Sequence, residues 1–579
     1  MLSVLSDRVD AVQSFNSLQS KRLNCFGVLR VAKYVFITGG VMSGVGKGIA
    51  VASIGKILQT RGAKVTALKI DPYLNVDAGT MNPVVHGEVF VTEDGGETDM
   101  DLGTYERFLD VNLSKTHNIT TGQIYQAIID MERNGTFLGQ CVQIIPHMTD
   151  EIKRRMRNIA ESTKADVVLV EIGGTVGDIE SLPFLEAARQ MRLEDGFKNV
   201  AFAHVTLVPV VGVVGEQKTK PTQHSVQELR RIGLQPDLII ARSADPLQSA
   251  PRKKIALFCN VDEAAVFSSP DSKSVYDVPL LLEDQGMGTF LSERLVLEKK
   301  TPNWDTWSRT VKRFTNPTNE ITIAVCGKYA ELADSYVSVN ESLRHAGAAA
   351  DTRVNLAWIE TEQLEGDRPK IETLLRANGI LVPGGFGQRG SEGKIQAIHY
   401  ARKNDLPFLG ICFGFQLATV EFARSIGLEE ANSTEIDPAT RHRVIDLMPE
   451  QLGVESKGGT MRLGAHEVRI QPGTLAERLY GRRRAWERHR HRYEVNPDYL
   501  QRLEQEGLVF SGRSLDGRRM EILELPSHYF FMATQFHGEF RSRPTNPSPP
   551  YYGLVKASLD RKLGRPLVEL PDATQRAKQ

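Results

Sequence analysis

Cysteine is scarce in this chain: five in 579 residues, Cys25, Cys141, Cys259, Cys326 and Cys412, with no CxxC pair among them. That excludes a disulfide scaffold and the common zinc spacings, and it points to a reducing compartment, the cytoplasm. No apolar run approaches the ~20 residues of a membrane-spanning helix. Net charge is also missing, because 71 basic residues are matched by 71 acidic ones. This removes the global electrostatic footprint of a nucleic-acid or membrane binder but leaves room for a local basic pocket. No internal repeat is present, which excludes a solenoid. The first thirty residues lack the apolar core of a secretory signal, and Asp7 and Asp10 are foreign to a transit peptide. They read as an N-terminal extension (residues 1–30) without stable order, and Val31 is a candidate start if its codon is GTG.

What is present is ample material for cores. The chain is 41% hydrophobic and 25% charged, and it is too long for a single core. Short apolar runs at Tyr34–Thr38, Val65–Ile70 and Asp166–Glu171 read as buried strands, with helical periodicity over 47–60. The pattern lapses into polar, proline-bearing sequence near 298–319, then restarts at Ile321–Gly327, Gly379–Pro383, Pro407–Ile411 and Tyr529–Phe536. Strands alternating with helices predict two doubly wound α/β domains, at 31–297 and 320–562, with a linker at 298–319 and a polar tail at 563–579.

Gly39-Gly-Val-Met-Ser-Gly-Val-Gly-Lys-Gly48 lies between the first strand and the first helix, where backbone N–H groups and a helix N-terminus can hold phosphate oxygens. It departs from the standard phosphate loop. The first glycine falls one residue early, and the Ser/Thr that normally follows the lysine to bind magnesium is Gly48. A magnesium ion would therefore rely on other carboxylates. Asp101, in Asp99-Met-Asp101, and Glu171 at a strand end suffice, since the ion needs one or two besides phosphate oxygens.

In the second half, Gly410-Ile-Cys412-Phe-Gly414 follows an apolar strand and precedes a helix. This is the thiol form of the nucleophile elbow, and a helix N-terminus there favours thiolate. Gln535-Phe-His537-Gly-Glu539 offers a base and a group to orient it, with the two side chains expected to share one side of a strand end. Pro383-Gly384-Gly385-Phe-Gly387 can turn N–H groups toward an oxyanion.

Four stretches make the first half similar to the amidoligase domain of the CTP synthase family: Lys69-Ile-Asp-Pro-Tyr-Leu-Asn-Val-Asp77, His86–Asp94, Glu171–Glu180 and Lys218–Ser225. The second half resembles a class I glutamine amidotransferase. The resemblance implies ATP-dependent amination of UTP to CTP, with ammonia cut from glutamine by Cys412, His537 and Glu539. It assigns ATP to Gly44, Val45, Gly46, Lys47, Gly48, Ile49, Lys69 and Asp101, and Mg2+ to Asp101 and Glu171. UTP or the product CTP is assigned to Ser43, Asp178, Ile179, Glu180, Lys218, Thr219, Lys220, Pro221, Thr222, Gln223 and Lys254. Glutamine is assigned to Gly385, Phe413, Gly414, Phe415, Gln416, Glu435 and Arg492. It further implies activation by GTP, inhibition by CTP and a homotetramer built as a dimer of dimers, with filaments as a further assembly, and neither nucleic acid nor membrane as partner. One departure is Gly538, where the family usually has proline between the histidine and the glutamate. A different glutamine-dependent amidoligase, or an inactive scaffold of the same fold, is the alternative.

Overall fold

The computed structural model describes residues 31–566, except 213–214, 329–332, 367–370, 452 and 455–457. The expected extension, and the tail beyond residue 566, lie outside the described residues.

Seven strands form the first sheet: β1 (Lys33–Gly39), β2 (Val65–Asp71), β3 (Asn118–Thr120), β4 (Val167–Ile172), β5 (Val200–Leu207), β6 (Leu238–Ser243) and β7 (Val266–Pro270). Their spatial order is β7-β6-β5-β1-β4-β2-β3, and every pairing is parallel. Such a sheet is covered on both faces, which is why β1, β2 and β4 are runs of buried residues rather than alternating ones. Helix α1 (Lys47–Thr60) and helix α2 (Asp101–Leu109) pack on one face, and α3 (Lys220–Arg231) follows β5.

The second sheet has nine strands: β8 (Asn319–Gly327), β9 (Thr352–Glu360), β10 (Gly379–Val382), β11 (Phe408–Ile411), β12 (Arg462–Ile470), β13 (Arg484–His491), β14 (Val509–Ser514), β15 (Met520–Glu524) and β16 (Phe531–Thr534). In the order β9-β8-β10-β11-β16-β15-β14-β12-β13, the first five are parallel and the remainder antiparallel. The parallel part carries α4 (Val337–Ala349), α5 (Ser391–Lys403), α6 (Phe413–Ser425) and α7 (Pro549–Lys562). The antiparallel wing is absent from the sequence reading, because β12 and β13 are rich in Arg, His and Glu and carry no apolar run. The segment expected to be a polar linker holds a helix, Asp305–Thr315, whose Trp307 and Val311 are buried in the core of the first sheet.

The two halves meet through charge. Alternate residues of β13 point the same way, so Arg488 and Arg490 both leave the second sheet toward the first half. Arg488, fully buried, donates to Glu106 at 3.1 Å, to Glu93 at 3.2 Å and to the Val91 carbonyl at 3.0 Å. Arg543 reaches the same Glu106 at 2.7 Å. Arg490 pairs with Glu97 at 2.8 Å and donates to the Gly79 carbonyl at 3.1 Å. Beside them Tyr276 donates to Glu341 and bonds His345, each at 2.7 Å, and His345 bonds Ser542 at 2.9 Å. Removing one partner of a buried ion pair strands the other. Glu106→Ala is therefore expected to cost roughly 3–5 kcal/mol, read as a lower denaturant midpoint by near-UV circular dichroism; an unchanged midpoint contradicts the assignment.

Candidate functional site

Two centres follow from the strand ends. The first surrounds the loop between β1 and α1. Lys47, the first residue of α1, folds back so that its Nζ donates to the Gly174 carbonyl beyond β4 at 2.8 Å. Asp101, at the start of α2, packs against the next residue. A Cβ on Gly48 would lie 2.3 Å from Asp101 Oδ1. The Ser/Thr of the standard loop is thus missing for a steric reason: a carboxylate fills the space its side chain would take.

Lys69, near the end of β2, is buried among carboxylates. Its Nζ bonds Asp101, lies 3.1 Å from Glu171 and 3.9 Å from both Asp71 and Asp99. Burial works against its charge, but Asp101, Asp99, Glu171 and Asp71 together hold it well above the ordinary lysine value. Burial also pushes Asp71 up to about 6 and Asp99 to about 7, with Lys69 opposing, and raises Glu171. Lys47 moves down, chiefly through burial.

Among the described residues no group of three or more His, Cys, Asp or Glu side chains is arranged to hold a metal by itself. Asp101 and Glu171 nevertheless offer oxygen ligands of the kind a divalent ion takes, since Mg2+ needs one or two carboxylates besides phosphate oxygens. Asp101 and Glu171, both already on Lys69, are the pair nearest the loop lysine in its electrostatics.

The candidate nucleotide residues divide into groups. Asp178 Oδ2 accepts from Thr175 N–H at 2.6 Å and lies beside Gly174, the partner of Lys47, so it joins the loop. Ile179 beyond it is 79% exposed and Glu180 is exposed. On α3, Thr222 bonds Thr206 at 2.6 Å, Gln223 donates to Thr219 at 3.0 Å, and Ser225 bonds His204 at 2.8 Å where a Gly40 side chain would lie. His204, pushed down to about 3 by burial and then by Lys47, presents a neutral ring there. Lys220 lies over the Phe258 ring, 5.8 Å from its centroid, and Lys218 and Lys254 gather around the exposed Glu216. Ser43 is exposed on the loop itself.

The second centre sits where β10, β11 and β16 end. Cys412, between β11 and α6, has φ 51° and ψ −98°, a sparsely populated conformation costing about 1–3 kcal/mol. The surrounding glycines make it possible. A Cβ on Gly414 would lie 2.2 Å from the Val382 carbonyl, and one on Gly410 would press on Gly414 and Ala533. Cys412 is 5% exposed; its Sγ lies 3.6 Å from the Arg490 carbonyl and accepts from Gln535 Nε2 at 3.6 Å. His537 faces it and bonds Glu539 Oε1 through Nδ1 at 2.7 Å, while Tyr551 donates to Glu539 Oε2 at 3.2 Å. The pair does not lie on a strand, as the sequence reading had it. β16 stops at Thr534, and His537 opens a tight 3-10 turn at Gly538–Arg541. That turn brings the two side chains together, and the Phe540 ring stacks on the imidazole at 5.1 Å. Gly538 leaves the backbone pinned by His537 N–H to the Arg488 carbonyl at 2.8 Å and Ser542 N–H to the Glu539 carbonyl at 3.2 Å.

Burial alone would lower the His537 value. Glu539 and Cys412 outweigh it and raise it to about 10, so the site favours imidazolium.

Around this centre Gln416 donates to the Tyr493 carbonyl at 2.9 Å, and Glu435 accepts from Gly387 N–H at 2.8 Å. Arg492 donates to Gln451 at 2.5 Å and to Thr460 at 2.8 Å. The Phe413 and Phe415 side chains are buried in the core, so Phe415 offers the site its backbone only. Gly385 is exposed at the end of β10.

With this geometry in view, comparison with known proteins is decisive. Residues 33–297 match the family model for the CTP synthase N-terminus, and residues 331–557 that for class-I glutamine amidotransferase. A CTP synthase of Thermococcus gammatolerans is 60% identical over 536 residues, 92% of this chain and 100% of that protein. The chain belongs to the CTP synthase family. A second member, from Thermococcus kodakarensis, is 59% identical over the same shares. The glutaminase domain of Trypanosoma brucei CTPS with bound acivicin is 36% identical, covering 44% of this chain and 98% of that one, with a TM-score of 0.41. Membership of the CTP synthase family makes the chain a glutamine-hydrolysing carbon–nitrogen ligase with a glutamine amidotransferase part.

The sequence reading missed four residues at these centres. Gln535 and Tyr551 touch the thiol and Glu539, Arg490 places its carbonyl near Cys412, and Lys394 is buried behind the Pro383–Gly385 turn. Gln535 alone had a local signal, being two residues before His537. The others come from distant segments.

The raised His537 value has a thermodynamic consequence. A group whose folded value lies above its unfolded one, 6.5, adds stability that is complete below about 6.5 and lost as pH rises through about 10. The gap in denaturant midpoint between wild type and His537→Gln is expected to narrow steadily from pH 6.5 to pH 10; a constant gap would show that the charge is not held there.

Proposed function

We propose that this chain converts UTP to CTP, spending ATP to phosphorylate uracil O4 and using ammonia released from glutamine to displace that phosphate. Support comes first from one observation: a cysteine in strained backbone, at a helix N-terminus, faces a histidine that bonds a buried glutamate at 2.7 Å.

In this reading Cys412 Sγ, as thiolate, adds to the glutamine side-chain carbonyl. His537 gives its proton to the departing nitrogen, so ammonia leaves and a thioester remains for water to cleave. Glu539 holds the imidazole and offsets its charge. Gly385, Phe413, Gly414, Phe415, Gln416, Glu435 and Arg492 surround the glutamine. In the other half, N–H groups of residues 44–49 cradle the ATP phosphates, with Lys47 and Lys69 offsetting their charge. Asp101 and Glu171 would hold Mg2+, which supplies charge neutralisation at the phosphates when bound. Ser43, Asp178, Ile179, Glu180, Lys218 to Gln223 and Lys254 receive UTP, and CTP as an inhibitor. Free ammonia near neutrality is mostly ammonium, which carries no lone pair. Producing it at the second centre, within the same protein as the first, solves that problem and accounts for both halves being on one chain. GTP activation, a tetrameric and filament-forming assembly and a cytoplasmic location complete the proposal by kinship.

Cys412→Ala is expected to lose glutamine-dependent CTP formation at least 1000-fold, on the order seen when a nucleophile is removed, while ammonia-dependent formation stays within about twofold. Asp101→Asn is expected to lower both by roughly 100-fold or more without preventing alkylation of Cys412 by a glutamine-analogue electrophile. Equal loss of both nitrogen sources in Cys412→Ala would refute the reading.

A further inference from the structure

Helix α5 carries a lysine that the reaction as described does not use. Lys394 is fully buried, among the largest fully buried side chains of the molecule. Its Nζ has a single long bond, 3.4 Å to the Pro383 carbonyl, and it lies 5.1 Å from the centroid of the Phe413 ring. No carboxylate among the described residues pairs with it. Burying an ammonium without a carboxylate is expensive, and the one other lysine of α5, the exposed Lys403, bears no such penalty.

Its position gives the reason. The two glycines after Pro383 face opposite ways. A Cβ on Gly384 would lie 2.8 Å from His537 Cε1 and 3.8 Å from Cys412 Cβ, whereas one on Gly385 would lie 3.2 Å from Lys394 Nζ and 3.9 Å from Phe413. The turn is one backbone layer thick, with the thiol and imidazole on one side and the ammonium on the other. When sulfur adds to the amide carbon, a C–S bond forms and the carbonyl π pair moves onto oxygen. The resulting negative charge needs donors on that side of the site.

We infer that Lys394 is a positioning residue for glutamine hydrolysis: its ammonium, tied to the Pro383 carbonyl and the Phe413 face, holds the Gly384–Gly385 turn against the reacting centre and stabilises the oxyanion formed there. This rests on Cys412 being the nucleophile. The groups that face Lys394 are Lys328 and Cys326 from β8 and its end, Cys412 from the elbow, and Glu435. Two acidic neighbours are engaged elsewhere: Glu365 accepts from Gly393 N–H at 3.1 Å and Glu392 pairs with Arg424 at 2.7 Å. Burial, then Lys328, draw the lysine down to about 7, so its charge is present at pH 6 and leaves as pH rises.

The test compares wild type with Lys394→Met and Lys394→Gln in the full-length protein. Glutamine hydrolysis is followed between pH 6 and 9, with ammonia-dependent CTP formation as the control for folding. The glutamine kcat of both variants is expected to fall at least tenfold at pH 6, with KM within about threefold and the ammonia-dependent rate within about twofold. The wild-type-to-variant ratio should shrink toward one by pH 9, because wild type loses the charge there too. A pH-independent ratio, an unchanged kcat, or loss of the ammonia-dependent rate in both variants overturns the inference. Retention of glutamine hydrolysis by Cys412→Ala in the same assay would instead overturn the nucleophile assignment beneath it.

Discussion

One edge strand ties the two chemistries together. β13 offers its backbone to the thiol centre: the Arg490 carbonyl lies 3.6 Å from Cys412 Sγ, and the Arg488 carbonyl accepts from His537 N–H at 2.8 Å. The side chains of the same two residues are anchored in the other half, on Glu106 and Glu97. A shift of the first half against the second must therefore move the carbonyls that touch cysteine and histidine. Because both ion pairs are largely removed from water, their geometry is stiffly enforced, and breaking one leaves a charge with nowhere to go.

The two centres solve opposite electrostatic problems with burial. Around Lys69 burial gathers carboxylates about one ammonium, and Asp71 and Asp99 are pushed up to about 6 and 7. Around Cys412 burial is outweighed: Glu539 and Cys412 raise His537 to about 10, and Lys394 is held close behind a glycine turn.

Legibility in the sequence tracked how local each constraint is. The strand ends and the span of α1 were readable because apolar runs and a 3.6-residue period are short-range signals. The elbow was readable because the glycines that Val382 and Ala533 demand must flank the cysteine. The pairing of His537 with Glu539 was correctly read as a pair but misread as strand geometry, since a 3-10 turn and a strand both bring i and i+2 close. In the sequence Arg488 and Arg490 belong to a basic run, Arg488-His-Arg-His-Arg492. Their carboxylate partners lie almost 400 residues away, and nothing nearby encodes them. The antiparallel wing and Lys394 were invisible for the same reason: β12 and β13 are polar stretches whose partners are distant, and Lys394 is a lysine at an unremarkable helical position.

The central claim is that the β13 anchors keep the thiol centre in register with the crevice that consumes its ammonia. Its most direct test is the number of CTP molecules formed per glutamine hydrolysed in Glu97→Gln, which removes the charge opposite Arg490 while leaving both sets of reacting groups intact. The account predicts a ratio well below that of wild type, with ammonia-dependent CTP formation retained. A ratio equal to wild type would contradict it.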